Sequence, residues 1–325
     1  MKLEEVVVHQ DILSRFAKLV KNGRLAHAYL FVGPARIGKS ETALALAKLV
    51  NCEASTAQVS EGFCGQCPSC VRINSGNHPD VHVLEKGEEG SIKIEQIRDL
   101  LAQVQLRPFE ARKKIFIIKN IEDLTPEAGN AILKTLEEPS VNSLLILTTS
   151  VRERNLDTIV SRCHLMNFYP ASHEELEGKL KAYYHVENPG AHFLARFAEG
   201  SLGRARQLNE RHMFERKNEM IDQFILAPDS EDFIKKVLAD KDETKELLNV
   251  LLSWVHDGLL IKAGAEDRRL IHLDRLKELR RFEAQHTFGE LQELHEEVVK
   301  TSRLLNENLN VKIPLMIIKE QLWAK

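Results

Sequence analysis

The sequence predicts an α/β protein with a parallel sheet flanked by helices, followed by an all-α C-terminal half. Two observations carry this. Four short apolar runs, AYLFV (28–32), DVHVL (80–84), KIFII (114–118) and SLLILTT (143–149), alternate with the helical patterns KSETALALAKLVN, IEQIRDLLAQVQL and PEAGNAILKTLEE. After about residue 166 there is no further strand pattern, and segments such as ASHEELEGKLKAYYHV, PGAHFLARFAEG, SLGRARQLNERHMFERKNEMIDQFIL and ELQELHEEVVKTSRLLNENL are amphipathic with helical spacing.

The four runs read as buried strands because each is brief, rich in β-branched or aromatic residues, and bounded by polar or Gly/Pro breaks. Strands separated by helices form a parallel sheet, with ligands at its C-terminal strand ends. The third helix is the best marked: Thr125 is its expected N-cap, Pro126 its first residue, and Pro139 its stop. Gly200 and Gly203 break the helical half, and Pro228, Gly264 and Pro314 punctuate its C-terminal part. With 325 residues, two or three domains are expected, placed at 1–165 (α/β), 166–209 (small, helical) and 210–325 (helical).

Composition narrows the function. The formal net charge of -3 lacks the basic excess of a protein that grips nucleic acid alone, so any such role is shared or local. The N-terminus, MKLEEVVVHQDILSRF, is charged and has no apolar core of a signal peptide, and no run has the length of a membrane span. A cytoplasmic location is the expectation.

Gly33-Pro34-Ala35-Arg36-Ile37-Gly38-Lys39-Ser40 matches G-x-x-x-x-G-K-[ST] in full, after a strand and before a helix. The glycines let backbone N–H groups wrap a phosphate, the helix N-terminus adds a favourable dipole, Lys39 neutralises β and γ oxygens, and Ser40 is placed to ligate Mg²⁺. Cys52 is followed by CGQCPSC, which sets Cys64, Cys67 and Cys70 two residues apart. Four thiolates at this spacing converge on one tetrahedral Zn²⁺ and leave no open position for water, so a structural site is expected. Cys163 lies far from them and reads as a small packed hydrophobe.

The phosphate loop, the CGQCPSC insertion, SGNHPDVHVLE, NAILKTLEEP and TIVSRC together resemble the bacterial replicative clamp loader of DNA polymerase III, an AAA+ assembly that places the sliding clamp on DNA. The resemblance covers residues 9 to about 210; the remainder matches only in being helical, as the family's oligomerisation collar is. It implies an AAA+ sheet domain with a zinc-binding insertion, a helical lid and an all-α collar. It also implies partners: gamma/tau motor subunits, the delta subunit, the clamp and primed DNA. Motor subunits carry Asp-Glu after the third of these strands, for Mg²⁺ and for the attacking water. Here those positions are Lys119 and Asn120. A lysine about 4 Å from Mg²⁺ is repelled by roughly 8 kcal/mol at an effective dielectric near 20, and Asn is no general base. Lys119 is left either to touch phosphate directly or to lie on the surface.

Motor subunits also carry an Arg after Gly-Ser-Leu, whereas this chain has Gly203 there and Arg204 one position later, about 100° around a helix. These departures point to the non-motor delta prime branch. Ser161-Arg162-Cys163 matches the family's Ser-Arg-Cys motif, implying that Arg162 acts in trans on a neighbour's nucleotide site. Thr148 and Thr149 match the family's first sensor, and Thr149 is taken with Gly33, Gly38, Lys39 and Ser40 as the nucleotide-binding set. ATP or ADP is then a structural ligand. Two rivals stay open: an active ATPase that uses Glu122 or Asp123, and a zinc-dependent DNA binder. The second is weakened by the lack of any Lys or Arg between Cys52 and Cys70.

Overall fold

The structure, a computed structural model, describes residues 9–54, 62–87, 89–150 and 157–323. The first eight residues, which carry half of the charged N-terminal stretch, lie outside that set, as do 55–61 within the cysteine insertion. The chain divides into two compact units: one running through Ala171 and including Ser201–Gly203, the other formed by Ser172–Gly200 and Arg204 onward.

The first unit is built on five parallel strands, β1 (Ala28–Val32), β2 (Val81–Leu84), β3 (Lys114–Ile118), β4 (Ser143–Thr149) and β5 (His164–Asn167), in the order β2-β3-β4-β1-β5. The two-residue period of a strand divides KIFII between two cores. Ile115 and Ile117 join Phe16, Leu46 and Ile146 under helices α1 (Gln10–Lys21) and α2 (Lys39–Asn51). Phe116 and Ile118 face the other way, onto Ile97 of α4 (Ile94–Val104) and Ile132 of α5 (Pro126–Glu137). Between α2 and α4 in the chain, α3 (Pro68–Ser75) carries the last of the clustered cysteines. The N-cap of α5 is as expected, with Thr125 Oγ1 accepting the Ala128 N–H at 3.3 Å.

Strand β5 has no counterpart in the sequence reading. HLMN is short and largely exposed, an edge strand with no apolar run, and it is identified only by its parallel pairing with β1. Just before it, α6 (Asp157–Val160) is a single turn.

The second unit is all-α among its described residues: α7 (His173–Tyr184), α8 (Gly190–Phe197), α9 (Leu202–Glu210, its first two residues counted with the first unit), α10 (Met213–Met220), α11 (Glu231–Leu238), α12 (Lys241–Lys262), α13 (Leu276–Gln285), α14 (Phe288–Asn306) and α15 (Lys312–Trp323). The stretch from Leu202 to Ile225, continuous in helical periodicity, is broken at His212, whose φ of 52° ends α9, and α10 runs on into a π-turn at Ile221–Ile225. Helix α12 is the axis of the unit. Its Leu251, Trp254 and Val255 are fully buried, as are Leu291 and Val298 on α14, which packs against it. A buried Asp257 ties down the segment before α13 by accepting the N–H groups of Ile271 (3.0 Å) and His272 (2.8 Å). Among the described residues no helix is long and apolar enough to cross a membrane.

Candidate functional site

The phosphate loop leaves the C-terminal end of β1, which lies between β4 and β5. Gly33 passes so close to the β5 side that a Cβ there would sit 2.4 Å from the Phe168 carbonyl oxygen, so no side chain fits. Its N–H donates to Thr149 O at 3.2 Å, which ties the loop to the tip of β4. Gly38, with φ 103°, supplies the left-handed turn into α2 that an L-residue resists. His9 closes the loop from behind, its Nε2 2.8 Å from Ile37 O and its ring edge-on to Phe168. Ser40 is half-buried in the first turn of α2 and Thr149 is fully buried.

Lys39 is 5% exposed, and its ammonium donates to Gly33 O (2.7 Å) and Pro34 O (2.6 Å). A phosphate must compete with those two carbonyls. Burial pulls the Lys39 amine down to about 8, against the opposing pull of Glu122 and Glu41.

At the tip of β3 the residues turn away from that loop. Lys119 Nζ donates to Glu85 Oε2 at 2.8 Å, beyond the end of β2, so it makes its ion pair across the sheet rather than in the phosphate loop. Asn120 adopts φ 52° and gives its N–H to Thr148 Oγ1 at 3.0 Å, which places Thr148 in the support of the β3 tip. Of the two rival carboxylates, Asp123 pairs with Lys86 at 3.3 Å. Glu122 lies on the loop's side: its Oε1 accepts both the N–H (3.0 Å) and hydroxyl (2.5 Å) of Ser150, directly after β4, and it acts electrostatically on Lys39. Burial pushes the Glu122 carboxyl up, and the Ser150 hydroxyl, backbone N–H groups and the Thr149 hydroxyl outweigh it, holding it below the usual carboxylate range.

Gly203 has a local reason to be glycine. A Cβ there would sit 2.7 Å from the Arg36 carbonyl oxygen, and that same carbonyl accepts the Ser201 hydroxyl at 2.6 Å. The position where motor subunits carry Arg is thus pressed against the loop backbone. Arg204 points into the second unit, where it pairs with Glu199 at 3.3 Å and lies over the Phe197 ring.

Arg162 lies two residues beyond the end of α6. Its Nε (2.8 Å) and Nη2 (2.5 Å) both donate to Glu137 Oε1, and Nη1 donates to Thr158 O (2.8 Å) and Ser161 Oγ (3.0 Å). The Arg162 side chain keeps 32% of its surface exposed and that of Glu137 51%. Glu137 was not singled out from sequence. The signal available was its place in NAILKTLEEP, just before the helix stop. Cys163 packs against the α4–α5 core, and burial raises its thiol to about 12.

The four clustered thiols come together. Cys52 caps the end of α2 and Cys67 caps the start of α3, and the Sγ atoms of Cys52, Cys64, Cys67 and Cys70 all lie within 4.8 Å of one another. The Cys52–Cys64 separation is 3.6 Å, close to the edge of about 3.8 Å that a tetrahedron of 2.3 Å metal–sulfur bonds requires. Backbone N–H groups of Cys64, Cys67 and Cys70 donate to the sulfurs of Cys52, Cys64 and Cys67, respectively, at 3.3–3.4 Å. Such donors favour thiolate. At Cys64 burial pushes the thiol up, and the N–H groups of Gln66 and Cys67 outweigh it and bring it to about 7. The cluster can hold a metal ion, with no non-sulfur ligand needed.

Residues 8–172 match the family described as DNA polymerase III, delta subunit, and residues 211–322 match its C-terminal region. The chain is 30% identical to DNA polymerase III subunit delta prime of Bacillus subtilis over 322 residues, covering 93% of both chains. The chain belongs to the DNA polymerase III delta prime family. A second relative, subunit tau of Escherichia coli, is 35% identical over 211 residues, which span 63% of this chain but 32% of tau. Among solved structures, a gamma subunit-related protein of Thermotoga maritima shares the fold, with TM-score 0.51 and 20% identity over 95% of this chain and 98% of that one. The AAA+ fold, the helical C-terminal half and the delta prime family expected from the sequence all hold.

Proposed function

We propose that this chain is a non-motor (stator) subunit of the bacterial replicative clamp loader, which loads the sliding clamp on primed DNA. In this reading it works in a cytoplasmic hetero-oligomer with delta and gamma/tau motor subunits, offers Arg162 in trans to a motor's nucleotide site, and does not hydrolyse ATP. The observation that carries it is a complete phosphate loop facing a strand tip that has no metal ligand. Holding Mg²⁺ and orienting water call for carboxylates, and the two positions concerned carry Lys119, whose ammonium pairs with Glu85, and Asn120, an uncharged amide that is no general base.

The rest of the chain has parts that suit the role. Loop N–H groups around Gly33 and Gly38, with Lys39, Ser40 and Thr149, are the residues to hold ATP or ADP, whose phosphates would supply negative charge to a buried ammonium. Cys52, Cys64, Cys67 and Cys70 are the residues to hold a structural Zn²⁺, which would cross-link the ends of α2 and α3 and leave no open position for catalysis. On α15 the apolar Ile313, Met316 and Ile317 are exposed at i, i+3 and i+4, as a helix facing another subunit requires. This supports reading 210–325 as the collar; in the same reading 166–209 is the lid that comes after the sheet domain.

A second reading has one observation in its favour: Glu122 is an ionised carboxylate beside Lys39 and the β4 tip. If it held the metal, the chain would be an active ATPase. The test is ATP turnover by the purified full chain with Mg²⁺, expected at background. Turnover abolished by both Lys39→Ala and Glu122→Gln would overturn the stator reading in favour of the second.

A further inference from the structure

The residues that flank the four clustered thiols in the chain all reach one place. Asn51, directly before Cys52 and buried, bonds the Lys113 backbone twice: its Nδ2 donates to Lys113 O (3.0 Å), and its Oδ1 accepts the Lys113 N–H (3.1 Å). On α3, whose first turn holds Cys70, Arg72 Nη2 pairs with Glu110 Oε1 at 2.9 Å. Ser69, between Cys67 and Cys70, reaches the same segment through two buried side chains. The Asp80 N–H donates to His78 Nδ1 (3.1 Å), so the ring proton is on Nε2 and is offered to Ser69 Oγ (3.2 Å). The Asp80 carboxylate in turn accepts the N–H groups of Phe109, Glu110 and Ala111.

Segment 109–113 is thus gripped from both flanks of the cluster. It precedes β3, at the N-terminal edge of the sheet, and so lies at the other end of the strands from the phosphate loop. Its backbone is held, yet its first side chain stands in solvent: Phe109 is 84% exposed. Asn51 belongs to α2, whereas Ser69 and Arg72 belong to α3. All three grips therefore hold at once only when the end of α2 and the start of α3 are fixed relative to each other. Sulfur ligands drawn from both helix ends, Cys52 with Cys67 and Cys70, would fix them in that way around one metal ion.

We infer that the cysteine module is a metal-dependent brace for segment 109–113, joined to it by Asn51, Arg72 and the Ser69–His78–Asp80 chain, and that it sets the path of the backbone that presents Phe109. The inference rests on the Zn²⁺ reading above and is independent of the stator reading.

The test is amide hydrogen exchange of the full chain, loaded with Zn²⁺ and after chelation, with bound metal counted in each sample. The Phe109, Glu110, Ala111 and Lys113 amides are expected to exchange about tenfold faster without metal, the worth of one or two lost hydrogen bonds. The Asn120 and Ser150 amides, also held by side-chain acceptors but at the opposite end of the strands, are the control and keep their rates. The double variant Ser69→Ala/Arg72→Ala, which retains every sulfur, should keep its metal and still show faster exchange at Glu110 and Ala111. If that variant does not hold metal, the chelation comparison decides alone. Metal that binds and leaves segment 109–113 unchanged on removal overturns the inference, as does equal acceleration at Asn120 and Ser150 or undiminished protection in the metal-loaded variant. The Zn²⁺ reading survives those results, whereas a chain that takes up no metal overturns both.

Discussion

Replacing Arg162 separates a structural role from a chemical one by orders of magnitude. In the isolated chain its guanidinium donates twice to Glu137 Oε1, at 2.8 and 2.5 Å, and once each to Thr158 O and Ser161 Oγ. Both partners of the ion pair are partly exposed, at 32% and 51%, and a pair of that kind contributes about 1 kcal/mol or less. Arg162→Ala is therefore expected to shift urea unfolding of the chain by no more than that. The same free energy, roughly a fivefold population factor, is what the Glu137 pair adds to holding the guanidinium at home, beside its bonds to Thr158 and Ser161. In trans the loss is of another size: a guanidinium on a transferring phosphoryl group is worth about 10³ to 10⁵ in rate. DNA-stimulated ATPase of the reconstituted loader should fall by at least the share of the motor site that Arg162 faces, and clamp loading should fall with it. Arg162→Lys should not restore it, since a compact ammonium lacks the planar fork. Glu137→Ala should leave the rate unchanged or raise it up to about fivefold, by releasing the side chain. Unaltered ATPase and loading with Arg162→Ala would refute the trans role. An equal loss with Glu137→Ala would point instead to a role in holding α6 against α5.

Three further outcomes are expected from the geometry. Asp80 is fully buried and accepts the N–H groups of Phe109, Glu110 and Ala111 at 2.8–2.9 Å, with Lys114 at 3.8 Å. Asp80→Asn leaves a charge unpaired and a donor facing a donor, and should cost about 3–5 kcal/mol in urea unfolding. Burial raises the Asp80 carboxyl, but the N–H groups and Lys114 hold it lower overall. Its stabilisation is thus complete above the unfolded value of about 4 and is lost as pH falls through the depressed one; a change under 1 kcal/mol on substitution would contradict this. Metal analysis should find about one Zn²⁺ per chain and none in the Cys67→Ser/Cys70→Ser double variant, with chelation lowering the melting temperature of the unsubstituted chain. Finally, Lys39, held at about 8 by burial, should take up a proton when phosphates bind between pH 8 and the ordinary lysine range near 10.4. Calorimetry of ADP binding at pH 9 in buffers of differing ionisation heat measures that uptake, and none would show that the ammonium does not meet the ligand.

The sheet was legible in the sequence because its central strands are buried on both faces, so AYLFV, KIFII and SLLILTT are apolar almost throughout and need no tertiary information to be recognised. Strand β5 was not, since an edge strand with a solvated face has no such run, and only its pairing with Tyr29 to Val32 defines it. The cysteine site was legible because its chemistry is written in spacing: C-x-x-C brings sulfurs together on a local turn, and the capping positions of α2 and α3 bring in Cys52.

The residues alone determined the identity of the chemical groups: an intact phosphate loop, four convergent thiols, and Lys119 and Asn120 where carboxylates would hold a metal. Direction was decided only in three dimensions. The same Lys119 could have met phosphate or the surface, and the choice was made by Glu85, 34 residues earlier in the chain, which lies beyond the adjacent strand tip. Arg204 was a motif residue out of register until the helix turn carried it to Glu199 and the Phe197 ring, and Gly203 was a missing arginine until the Arg36 carbonyl left no room for a side chain. Nothing in periodicity marks Asn51 as the partner of the Lys113 backbone. A side chain's hydrogen bond depends on groups distant in sequence, and only packing brings those together.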